Sequence, residues 1–172
     1  MLEEQTLLTG TPKEKVIQCL KKAGWYEGRK TDITEVESYY SGKGITLTES
    51  QKDIFREFYG LAEAWFFDKK GSIKNQACDF LFHIIPEDYY SGYYSYYDLE
   101  KLEQEAGERP ISIGEIGYHY PSSIFLSCNG RLWEITSYDD FIQSYDDMIS
   151  LIKYTGVFDR HDWNSVRMRQ HE

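Results

Sequence analysis

The spacing of apolar residues changes period roughly a third of the way along the chain, and that change limits the possible folds more than any other feature. Before it, helix-capping patterns recur. Thr11-Pro12-Lys13-Glu14 combines a capping box with proline at the first helical position, and Val16, Ile17 and Leu20 then make one apolar face that Gly24 closes. Asp32 with Glu35 predicts a second cap ahead of Ile33, Val36 and the Tyr39-Tyr40 pair, with Gly42 and Gly44 as stops. Thr48 with Gln51 predicts a third, ahead of Ile54, Phe55 and Phe58 and ended by Gly60.

Beyond Gly60 the runs Ala64–Phe67 and Ala77–Ile85 are too short and too aromatic for helices and read as strands, with a turn at Asp68-Lys69-Lys70-Gly71. Tyr97–Ala106 reads as a helix stopped by Gly107 before Pro110. Strands are expected at Ile111–Ile116, Ser123–Cys128 and Arg131–Thr136, with Asn129-Gly130 signalling a hairpin between the last two. A final helix is expected over residues 138–154, because Phe141, Tyr145, Met148, Ile149 and Ile152 share one helical face. Helices first, then a mostly antiparallel sheet with an inserted helix and a helix at the end, make an α+β domain. The expected division is an N-terminal extension over residues 1–11, one domain over 12–155 and a polar, loosely held tail over 156–172.

The chain carries 19 basic and 29 acidic residues, for a net charge of −10. Residues 86–108 hold Glu87, Asp88, Asp98, Glu100, Glu103, Glu105 and Glu108 against Lys101 alone, and residues 137–150 hold Asp139, Asp140, Asp146 and Asp147 with no base. These two segments account for the whole imbalance. A negative potential repels a phosphate backbone, so direct binding of nucleic acid is disfavoured and a basic protein partner favoured. The N-terminus lacks the basic patch and apolar run of a secretory signal, and no apolar run is long enough to span a membrane, so the chain is expected to stay in the cytoplasm. Cys19, Cys78 and Cys128, odd in number and without a CxxC, are expected as reduced, buried thiols.

Catalytic patterns are absent. There is no P-loop, GxGxxG or GxSxG, and Gly42-Lys43-Gly44 lacks the spacing and the Ser/Thr of a Walker motif. His83, His119, His161 and His171 show no metal-ligand spacing, so neither metal nor cofactor is expected. The acid pairs Glu87-Asp88 and Asp139-Asp140 sit in polar segments, where nothing shifts a carboxyl toward catalytic use. The chain is therefore expected not to be an enzyme.

Tyr89, Tyr90, Tyr93, Tyr94, Tyr96 and Tyr97 fall within nine residues, interleaved with Gly92 and serines and flanked by acids. That is a recognition-loop composition, since a rigid amphipathic ring supplies contact area at low entropic cost. Packing of some of these rings beneath the inserted helix is the structural alternative. Stacking on single-stranded nucleic acid would need a cationic groove, and the surroundings are anionic.

Gly24-Trp25-Tyr26-Glu27-Gly28-Arg29 after the first helix, Phe58-Tyr59-Gly60-Leu61 after the third, Ile113-Gly114-Glu115, and Ser123-Ile124-Phe125-Leu126 through Gly130-Arg131-Leu132-Trp133 form an ordered set. That set resembles the third SUKH family of bacterial immunity proteins, from which Tyr59 and Trp133 depart in standing where the family usually shows glycine and tyrosine. The resemblance implies a SUKH-like α+β fold. It also implies a role in polymorphic or contact-dependent toxin systems of bacterial competition, binding a cognate toxin domain and blocking it by occlusion, a nuclease being one candidate. Glu87, Asp88, Tyr89, Tyr90, Tyr93, Tyr94, Asp98, Asp139 and Asp140 are the expected toxin-binding residues. Gly24, Trp25, Gly28, Arg29, Phe58, Gly60, Gly114, Glu115 and Gly130 are expected to be structural, with Glu115 as the carboxylate that Arg29 clamps. A regulatory or scaffold interaction module with the same fold and no toxin partner is the alternative.

Overall fold

The computed structural model describes residues 6–61, 64–69, 77–86, 96–118, 121–136, 141–160 and 162–168. The chain runs β1 (Thr6–Leu7), α1 (Pro12–Lys22), α2 (Thr34–Gly42), α3 (Glu49–Phe58), β2 (Ala64–Lys69), β3 (Ala77–Ile84), α4 (Tyr96–Ala106), β4 (Ile111–Gly117), β5 (Ser122–Leu126), β6 (Leu132–Ile135), β7 (Ile142–Tyr145), α5 (Met148–Thr155) and β8 (Trp163–Met168). The strands form one sheet in the order β1-β8-β2-β3-β4-β5-β6-β7, and each described pairing is antiparallel. This is the expected α+β architecture of N-terminal helices, an antiparallel sheet with an inserted helix, and a helix near the end.

Local chemistry explains the helix ends. Thr11 and Glu14 close a capping box on α1, and Thr48 and Gln51 close another on α3. The Thr48 hydroxyl also donates to the Cys128 carbonyl at 2.6 Å, so this cap ties α3 to the β5–β6 turn. The Asp32 cap differs from expectation: its carboxylate accepts from the Thr34 N–H and hydroxyl, at 2.9 and 2.7 Å, and α2 begins one residue later than that cap implied. Asp32 therefore makes an Asx turn ahead of the helix rather than capping it.

One sheet face packs on α1, α2, α3 and α5 around Leu20, Val36, Phe55, Trp65, Phe82 and Ile113. Trp25 stacks on Phe58 with ring centres 6.5 Å apart, and Phe58 meets Phe82 edge-on at 6.4 Å. Among the described residues the opposite face carries α4 alone, whose Leu102 is sealed against Phe125, Trp133 and Ile135 with Leu99, Ala106 and Ile142 alongside. Complete burial of a side chain such as Leu102 contributes about 2 kcal/mol.

Two expectations fail at the C-terminal end. The helix foreseen over 138–154 is instead β7 followed by α5, because the Asp147 carboxylate accepts from the Ser150 N–H at 2.7 Å and starts the helix there. The stretch foreseen as a loose tail contains β8, which lies inside the sheet between β1 and β2. Of the turn expected at residues 68–71, Asp68 and Lys69 instead continue β2, and residues 70–71 lie outside the described residues.

Candidate functional site

The site is built where α4 packs on β5 and β6, with β7 alongside. Leu99, Leu102 and Ala106 point α4 inward, so its acids lie toward solvent: Glu100 and Glu105 are exposed, and Glu103 faces the exposed Arg109 at 3.5 Å. Ile142 of β7 packs into the same cluster. The helix carrying Asp98, Glu100 and Glu105 is thereby brought beside the strand that Asp146 and Asp147 follow. On the opposite face, Lys52 meets Glu37 at 2.7 Å, and Arg56 meets Asp53 at 2.9 Å and Glu49 at 3.2 Å.

Buried polar contacts hold the β7 side of this site. Glu134 of β6 is 2% exposed and accepts from the Tyr145 hydroxyl at 2.8 Å and the Thr155 hydroxyl at 3.0 Å, joining β6, β7 and α5. Burial, then the nearby Glu134 charge, push the Tyr145 phenol well up, so it stays a donor. Sequence reasoning passed over Glu134; the available signal was a carboxylate inside the apolar run Leu132-Trp133-Glu134-Ile135. At the other end, Arg131 of the β5–β6 turn meets Asp146 at 2.8 Å.

The β5–β6 turn adds a thiol. Cys128 is exposed there, contrary to expectation, because it falls just beyond β5, and its N–H donates to Glu108 at 2.9 Å. Cys19 is buried as expected, and the side chain of Cys78 lies outside the described residues. Hydrogen bonding from Cys128, side chain and then backbone, outweighs burial and holds the Glu108 carboxyl low; the same pairing, then burial, raises the Cys128 thiol. Since the thiolate is the nucleophile, Cys128 is expected to react with disulfide reagents more slowly than a free cysteine at mildly alkaline pH. Glu108→Gln should speed that reaction several-fold, as read from labelling rate against pH; an unchanged rate would remove Glu108 as the cause.

Among the expected toxin-binding residues, Asp98 lies in the first turn of α4 and is partly buried. Glu87, Asp88, Tyr89, Tyr90, Tyr93, Tyr94, Asp139 and Asp140 lie outside the described residues. Gly24, Gly28 and Gly60 occupy turns after α1 and α3, and the Trp25 indole donates to the Glu57 carboxylate at 3.0 Å. The Arg29–Glu115 clamp is not formed: Arg29 donates to the Glu57 carbonyl at 2.8 Å, while Glu115 sits in β4 between His83 and Ser123. The α1–α2 loop closes on the end of α3, and a backbone oxygen there takes the guanidinium. Gly130, at φ +86°, completes a three-residue hairpin loop in which Ser127 and Arg131 bond at 2.9 Å, one residue longer than the tightest Asn-Gly hairpin.

A cleft of about 440 Å³ opens between the end of α2 and the start of β4, lined by Tyr39, Tyr40, Ile45, Pro110 and Ile111 together with Lys43 and Arg109. Its charged lining is cationic, opposite in sign to the α4 face. Among the described residues no cluster of His, Cys, Asp and Glu could hold a metal ion, and no helix is long and apolar enough to cross a membrane.

Residues 12–149 match the family model of the SUKH-3 immunity proteins. The chain belongs to the SUKH-3 immunity protein family. The stretch of the SUKH-3 chain that matches runs from the first residue of α1 into α5 and takes in α4 and β7. SUKH-3 proteins are immunity proteins rather than enzymes, which implies toxin neutralisation and a toxin as partner. No curated protein and no solved structure matches the chain.

Proposed function

We propose that this SUKH-3 protein neutralises a cognate toxin domain by binding and occluding it with the acidic surface of α4 and the β7 end of the sheet. The observation that carries this reading is the packing of Ile142 into the α4 cluster, which gathers two acid-rich segments about 40 residues apart onto one side of the molecule. Glu87, Asp88, Tyr89, Tyr90, Tyr93 and Tyr94 precede α4 in sequence and Asp139 and Asp140 precede β7, and on that adjacency alone the proposal counts both groups among the toxin-binding residues. Acids supply attraction and tyrosines supply contact area. The toxin domain is therefore basic, and a nuclease fits because it must itself attract a polyanion.

Complementary charge acts chiefly on encounter, and a Debye length of about 8 Å at physiological ionic strength screens it. Glu100→Gln combined with Glu105→Gln is expected to slow association with the toxin domain encoded beside this protein by about 3- to 10-fold at low salt, leaving the melting temperature unchanged. Stopped-flow association across a salt series measures this. An association rate indifferent to both salt and the two substitutions would exclude the acidic surface as the docking face.

A further inference from the structure

Among the described residues the sheet ends on one side at the two-residue β1 and on the other at β7. Two hydrogen bonds define which way the β7 backbone faces. The Ser127 N–H donates to the Arg131 carbonyl at 2.9 Å, and the Thr136 N–H donates to the Phe141 carbonyl at 3.2 Å. Bonded and non-bonded pairs alternate along an antiparallel ladder. The first bond therefore directs Arg131, Trp133 and Ile135 toward β5, and the second directs Leu132, Glu134 and Thr136 toward β7. On β7, residues 141, 143 and 145 spend their backbone groups on β6, while the N–H and C=O of Ile142 and Ser144 point out of the sheet. The Gln143 side chain donates to the Ser144 carbonyl at 3.3 Å, in keeping with an oxygen the ladder does not use.

This open edge has a patterned sequence. Phe141-Ile142-Gln143-Ser144-Tyr145 holds no charge and no proline, and it is bracketed by Asp139-Asp140 and Asp146-Asp147. Like charges at the ends of an edge strand oppose pairing with a second copy, whose own acid pairs would come alongside. A strand with lysine or arginine at both ends of a short apolar stretch meets opposite charge at each end. Asp146 is available for this, its side chain being 86% exposed even while it meets Arg131. Apolar surface is present too: Phe141 is 41% exposed, and Tyr154, 44% exposed, lies 5.8 Å from the Tyr145 ring.

We propose that β7 receives an extended segment of a basic partner, which joins the sheet as an additional strand through the backbone groups of Ile142 and Ser144. Main-chain bonds give such a contact its strength, and flanking charges choose the partner. The occupant is a strand of the toxin domain, so the proposal rests on the toxin-binding reading above.

Ser144→Pro separates edge docking from folding. Proline removes an N–H that β6 does not use, a substitution edge strands tolerate. With the toxin domain encoded beside this protein as the probe, Ser144→Pro is expected to weaken binding by about 10-fold or more at unchanged melting temperature. In the unsubstituted complex, hydrogen exchange at the Ile142 and Ser144 amides should slow. If the unsubstituted protein binds the domain while exchange at those amides is unchanged, or Ser144→Pro binds equally well, edge docking is wrong and the toxin reading stands. If the unsubstituted protein does not bind the domain, the toxin reading fails and edge docking fails with it.

Discussion

Trp163→Ala is expected to lower stability by about 3 to 5 kcal/mol, and a chain ending at Gly156 is expected not to fold. Trp163 opens β8, is 3% exposed, donates its indole N–H to the Gly156 carbonyl at 2.8 Å and lies 6.0 Å from the Tyr118 ring. Val166 and Met168 are buried with it, and Lys15 of α1 clasps the start of the strand through the Trp163 carbonyl at 2.6 Å and Asp162 at 2.8 Å. Removing β8 would strand β1 without its described partner and strip β2 of one neighbour, leaving backbone donors and acceptors unpaired along that edge. The family match ends at residue 149, so a strand on which this sheet depends lies beyond it. Urea denaturation followed by circular dichroism measures both effects. A truncated chain that unfolds cooperatively at the midpoint of the full chain would show β8 to be an accessory.

Gly114→Ala is the second large loss, expected at about 3 kcal/mol or more. Gly114 sits at φ +152°, where the β4–β5 register shifts between Ser112 and Gly114. A Cβ there would collide with the His83 carbonyl oxygen and press on Ile84 Cα at 3.0 Å. Both obstacles are backbone of the adjacent β3, so relief requires moving a strand in the middle of the sheet. Gly42→Ala is the control. Gly42 ends α2 with open space around its Cα, and alanine there should be neutral or stabilise by up to about 1 kcal/mol. Comparable losses at both positions would contradict the steric account.

Elements specified by neighbouring residues were legible in the sequence. The Thr11-Glu14 and Thr48-Gln51 boxes name their own helix starts, and Asn129-Gly130 names its hairpin, because each device closes within a few residues. β8 was hidden because its partners, β1 and β2, are far away in sequence, and because Asn164, Ser165 and Arg167 dilute the apolar signal of Trp163, Val166 and Met168. β7 merged with α5 because Phe141 and Tyr145 stand four apart and continue the helical face of Met148 and Ile152; Asp147 was a cap inside the supposed helix. For the site, the two acidic segments and the absence of catalytic motifs were readable. Their convergence was not, since it depends on α4 and Ile142 of β7 packing into one cluster with Phe125, Trp133 and Ile135.

The central claim is neutralisation by direct binding through this acidic side. Its most direct test is co-expression with the toxin domain encoded beside this protein, scoring survival and co-purification together. The account predicts survival with a stoichiometric complex. Both should be lost when Asp88→Asn, Tyr89→Ala and Tyr90→Ala are combined with Glu100→Lys and Glu105→Lys, while the melting temperature holds. Survival without a complex, or a complex that withstands all five changes, would contradict it.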